Sequence, residues 1–73
     1  MAGYNGFSNY ETWNVSLWLQ NNYGLYKIAQ KYDSYDRLIP RLELTCGQMT
    51  PDGVRWMDGL INTDEVDEVL AEL

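Results

Sequence analysis

The chain has 73 residues, 45% of them apolar, with three Trp, six Tyr and one Phe, and a formal net charge of −6. Length fits one domain, 1–73, and the aromatics supply enough core to exclude a disordered chain. A single cysteine excludes an internal disulfide, no apolar run approaches the roughly 20 residues of a membrane span, and residues 1–8 lack the basic and apolar regions of a signal peptide, so a cytosolic location is expected.

Residues 1–7 are Gly- and Asn-rich and read as a loop. Ser8 to Glu11 fits a capping box, which predicts a helix to about Gln20. Tyr10, Trp13 and Leu17 share a face at i, i+3, i+7, and Val15, Trp18 and Leu19 widen it, so this helix is the expected centre of the fold. Asn22 is placed to cap a second helix with a Leu25, Ile28, Ala29, Tyr32 stripe. Asp33-Ser34 offers the next cap, before Leu38, Ile39 and Leu42. Pro40 predicts either a kink or a restart of that helix, and Gly47 its end. Thr50-Pro51-Asp52-Gly53 allows two readings. A helical turn with Pro51 in its first position is the preferred one, and a Pro-Asp-Gly turn leading to a short strand over 54–56 is the other. Thr63 is the expected cap of a last helix with Val66, Val69, Leu70 and Leu73 on one face. The whole predicts a mainly α fold, four to five short helices with room for one strand pair near 50–57.

Charge is unevenly placed. Residues 1–61 carry six acids and five bases, whereas the last twelve carry Asp64, Glu65, Asp67, Glu68 and Glu72 with no base. On a helix, 64, 68 and 72 form one row about 6 Å apart along the axis. Like charges at this spacing oppose the helix by a few tenths of a kcal/mol per pair. Two readings stand: a solvated face that keeps a Trp-rich chain in solution, or a carboxylate row that imitates nucleic-acid phosphates and docks on a basic protein surface. Such a charge repels nucleic acid and anionic membranes themselves.

Catalysis is not expected. The chain has no histidine, which removes the commonest general base and zinc ligand, and it has no phosphate-binding glycine loop, so neither cofactor nor metal is expected. Cys46 reads as a small buried or helix-end residue. The three Trp read as core. Six Tyr exceed what so small a core needs, and Tyr4, Tyr23 and Tyr35 fall at loop or helix-start positions, where Tyr23 and Tyr35 suit either half-exposed packing or partner contact.

Asn9-Tyr10-Glu11-Thr12-Trp13-Asn14-Val15, with Leu17-Trp18-Leu19, Asn22 to Tyr26, Thr50 to Val54 and the acidic tail, resembles a family of small uncharacterised proteins of phages, mobile elements and some bacteria. The likeness covers most of the chain and carries no catalytic residue. By size and charge the chain is also similar to anti-CRISPR and antirestriction inhibitors, several of which imitate DNA. A full DNA mimic spreads its charge along an elongated surface, whereas here it is confined to one segment. The resemblance implies a stoichiometric inhibitor, monomer or homodimer, that plugs the basic groove of a host CRISPR effector or restriction enzyme. The alternative is an adaptor or self-associating module that docks through its Tyr- and Trp-rich surface.

Overall fold

Three asparagines start three of the four helices. In the computed structural model, which describes residues 4–73, α1 spans Tyr10–Asn21, α2 Tyr23–Ala29, α3 Tyr35–Cys46 and α4 Thr63–Glu72. Asn9, Asn22 and Asn62 each turn the side-chain oxygen onto an amide of the first helical turn, accepting from the N–H of Thr12, Leu25 and Glu65. A short polar side chain at this position satisfies an amide that the helix itself cannot. The caps of α1 and α4 therefore lie one residue away from the expected Ser8 and Thr63. Ser8 has another role, described below. The fourth cap comes from a distant residue: Ser34 makes no side-chain cap, and the Tyr35 N–H instead donates to Asp67 Oδ1 at 2.7 Å.

The fold is mainly α, as expected, with α1 packed on α2 and α4, and α3 packed on α4. One core joins them, drawn from Val15 and Leu19 of α1, Leu25 and Ala29 of α2, Leu38 and Leu42 of α3, and Val66 and Leu70 of α4, closed by Val54, Trp56 and Ile61. Pro40 neither ends nor restarts α3, which runs through it from Tyr35 to Cys46. Asp36 and Pro40 are both exposed, so the missing amide donor falls on the solvent side of the helix and not in the core. Gly47 then ends the helix at φ 84°, a conformation that favours glycine.

α1 buries a different stripe from the one its aromatics suggest. Thr12, Val15, Ser16 and Leu19 are inaccessible, at i, i+3, i+4, i+7, while Tyr10 is exposed and Trp13, Leu17 and Trp18 are half-buried. Polar residues take core positions here because most are paired. Thr12 Oγ1 donates to Asn9 Oδ1 at 2.7 Å and accepts from the Asn62 N–H at 2.8 Å. Ser16 Oγ is buried with no partner among the described residues. Of the three Trp, only Trp56 is fully core.

Residues 50–53 form a turn and not the preferred helical one. The Gly53 N–H donates to the Thr50 carbonyl at 2.9 Å, and Gly53 has φ 92°. Thr50 N–H to Val54 carbonyl (2.7 Å) and Trp56 N–H to Gln48 carbonyl (3.1 Å) flank an antiparallel Met49–Arg55 bridge. Gly at the positive-φ position of a short loop fits such a hairpin. The turn is fastened to α1 from both sides. Buried Asn14 accepts from Thr50 Oγ1 at 2.8 Å and donates through Nδ2 to Asp52 Oδ2 at 2.8 Å. The Trp18 indole N–H donates to the same carboxylate oxygen at 2.9 Å. These two donors hold the Asp52 carboxyl below its ordinary pKa.

Candidate interaction surface

The five C-terminal acids divide into two sets. Asp64, Glu68 and Glu72 are exposed and lie in one row along α4. Asp64 sits in the first turn, where the helix dipole favours a negative charge. Glu68 and Glu72 have no such support. Glu72 stands in the last turn, which carries no base, and the pairs 64/68 and 68/72 are like-charged at i, i+4. Helix physics therefore opposes two of the three exposed carboxylates.

Glu65 and Asp67 face inward bonds. Glu65 Oε1 accepts from the Ser8 N–H at 2.8 Å and Oε2 from Ser8 Oγ at 2.7 Å. Both bonds hold its carboxyl below the ordinary value. Asn62 Nδ2 donates to Ser8 Oγ at 3.2 Å, so residues at the starts of α1 and α4 brace each other. Asp67 caps α3, as described. The sequence groups five acids as one partner-binding set; the fold leaves three of them free and employs two as internal braces. Nothing in a local pattern could separate these sets, since the Ser8–Glu65 contact spans 57 positions.

A cleft of about 530 Å³ runs beside the row, with Gln20, Glu65, Glu68 and Glu72 around it and Phe7, Val69 and Leu73 giving it apolar walls. Its shape and charge suit a cationic side chain with an aliphatic stem.

The two tyrosines separate as well. Tyr23 is 74% exposed, with Lys27 Nζ 5.8 Å from its ring centroid. Tyr35 is a correction to the sequence reading: it is fully buried, and its hydroxyl donates to the Trp56 carbonyl at 2.6 Å. Burial pushes its hydroxyl pKa far upward, with the Glu43 and Asp58 charges adding to the shift. No partner can reach it. The position looked like a loop-to-helix junction, and Asp67 turns that junction inward.

An aromatic cluster lies outside the predicted set. Tyr4 packs edge-on to Tyr10 at 5.4 Å and against Trp13 at 4.9 Å between ring centroids. Tyr4 and Tyr10 remain partly exposed. Cys46 ends α3 and is exposed, where a buried position had been one expectation. The groups around it screen the sulfur partly from water and raise its thiol pKa. Among the described residues no group of three potential metal-binding side chains occurs, and no helix is long and apolar enough to cross a membrane.

The whole chain, residues 1–73, matches the model of a family of unknown function, DUF7249, and belongs to that family. No curated protein and no solved structure matches it.

Proposed function

We propose that this family member is a non-catalytic binding protein that acts in the host cytosol as a stoichiometric inhibitor of a nucleic-acid-handling complex, a CRISPR effector or a restriction enzyme. Asp64, Glu68 and Glu72 occupy basic side chains that otherwise hold DNA phosphates. The observation that carries the reading is the exposed row on α4, kept at positions where helix physics disfavours two of its three charges. Glu65 and Asp67 serve the row indirectly, by fixing α4 against Ser8 and α3.

Neutral isosteres test it. Asp64→Asn, Glu68→Gln and Glu72→Gln, combined in one chain, preserve shape and remove three charges. Cleavage of DNA by a panel of restriction enzymes and CRISPR effectors is measured with either protein, at low and high salt. Inhibition by the parent chain that weakens with salt, and is absent from the triple variant, is the expected result. Equal inhibition by both proteins, or none by either across the panel, rejects the reading.

The partly exposed Tyr4–Tyr10–Trp13 cluster favours a second reading, an adaptor or self-associating module that docks through aromatic contacts. Salt-insensitive association lost in Tyr10→Ser and retained in the triple charge variant distinguishes it.

A further inference from the structure

A second groove, of about 360 Å³, opens where the end of α1, the start of α2, the end of α3 and the hairpin meet. Trp18, Leu25, Ile28, Cys46, Met49 and Trp56 give it apolar walls, and none of its lining side chains carries a charge. In a chain with net charge −6 that is unusual ground. Exposed apolar side chains stand beside it: Met49 in the wall is 46% exposed, and Leu44, next to the lining residue Thr45, is 80% exposed.

The rim is basic. Arg41 lies one helical turn before Thr45, on the same side of α3. Arg55 sits directly across the hairpin from Met49, and side chains of such a cross-strand pair share a face. Lys27 follows Gly24, another lining residue, by three positions on α2 and reaches over the Tyr23 ring. Two acids border the groove. Asp52 stands beside Pro51, with its carboxylate bonded to the Asn14 and Trp18 donors. Glu43 lies three positions before the lining residue Cys46 on α3 and so stands at the rim as well. The three bases with Asp52 and Glu43 sum to +1, which leaves −7 for the rest of the chain.

We propose that this groove binds a short segment of a partner protein that sets a large apolar side chain between carboxylates. An apolar floor takes the side chain, and Lys27, Arg41 and Arg55 take the flanking acids. The site has the opposite charge preference to the α4 row and stands independently of the inhibitor reading. A chain with both surfaces could hold an acidic segment on one side and a basic surface on the other.

The probe is a capped peptide, DELFLED, titrated into the full chain and followed by NMR of the Trp indole N–H resonances. KKLFLKK and DEGSGED serve as controls, changing the charge and removing the apolar residues. The expected result is a saturable shift of the Trp18 and Trp56 resonances with DELFLED, and little with either control. Charge reversal at two exposed rim positions, Arg41→Glu with Arg55→Glu, should weaken DELFLED roughly tenfold and favour KKLFLKK, since each exposed pair contributes about two- to fivefold. Three results overturn the proposal. One is the absence of Trp18 and Trp56 shifts at millimolar DELFLED. Another is equal binding of KKLFLKK to the parent chain. The last is a shift that follows protein concentration without peptide, which would show a second copy covering the groove. The peptide comparison needs no variant, so poor folding of the charge-reversed chain leaves the test intact.

Discussion

Asn14→Ala removes the hinge pin between α1 and the hairpin. In the parent chain, the buried Thr50 hydroxyl donates to Asn14 Oδ1 at 2.8 Å. Without that acceptor the hydroxyl proton is left unpaired, since Thr50 is 2% exposed and water has no easy approach. A stranded buried polar group costs about 1–3 kcal/mol. Asp52 also loses a donor, but its carboxylate is exposed and water replaces the amide, so nothing is added for it. Total stability for a chain of this length is about 4–11 kcal/mol, so the loss is a large share. The melting temperature should fall by about 4–8 °C per kcal/mol. Urea unfolding followed by Trp fluorescence measures the change, and Thr50→Val completes a double-mutant cycle. The expected coupling is about 1 kcal/mol or more, because the two residues share one buried bond. Thr50→Val has a separate effect, since Thr50 Oγ1 also accepts from the Val54 N–H at 3.1 Å. Purely additive single effects, or a loss below about 0.5 kcal/mol for Asn14→Ala, would refute the reasoning.

The other perturbations can be stated briefly. Ser16→Ala removes a buried hydroxyl that has no partner among the described residues and should stabilise the chain by about 1 kcal/mol, read as a higher urea midpoint. Asp52 and Glu65 have lowered folded-state pKa values, so their contributions are present above the ordinary 3.8 and 4.5 and are lost as pH falls through the lower folded values. Ser8→Ala should therefore flatten part of the acid unfolding curve below about pH 4.5. Tyr35 has a raised pKa, so its contribution is intact below the ordinary value of 10.0 and is lost as pH rises above it. Tyr35→Phe should be less stable at neutral pH and show a weaker alkaline decline, followed by circular dichroism from pH 8 to 12. Glu72→Lys should raise stability by a few tenths to about 1 kcal/mol, by pairing with Glu68 and suiting the helix end, while reducing inhibition of the target. A gain in both properties would separate the row from binding.

Periodicity made much of the helical order legible. Leu25 and Ala29, Leu38 and Leu42, Val66 and Leu70 lie at helical spacing, and all six are core. Asn22 and Gly47 also punctuate the chain as their chemistry suggests. What stayed hidden was long-range. The Tyr10, Trp13, Leu17 face looked more apolar than the Thr12, Val15, Ser16, Leu19 face that is buried, because the partners of Thr12 and Asn14 lie some 36–50 positions away. Tyr35 looked accessible until Asp67 and Trp56 are seen to bind its N–H and hydroxyl. The motif around Asn14, Trp18 and Thr50 to Gly53 looked like a family signature, and its polar residues form the joint between α1 and the turn. The acid row was readable as a row, while the division between its free and bonded members required the fold.

The brace between Ser8, Asn62 and Glu65 also bears on what holds the acidic surface in shape. A ten-residue helix with like charges along it does not hold its shape alone in water. Bringing together residues separated by 57 positions carries a closure entropy of about 3–4 kcal/mol before any contact compensates for it. The helix that carries the carboxylate row thus draws its order from contacts with distant parts of the chain. A proteolytically clipped chain lacking Ser8 would still carry every acid of α4 and yet lose the brace that ties the start of that helix to the start of α1. The charged face therefore depends on contacts drawn from both ends of the chain.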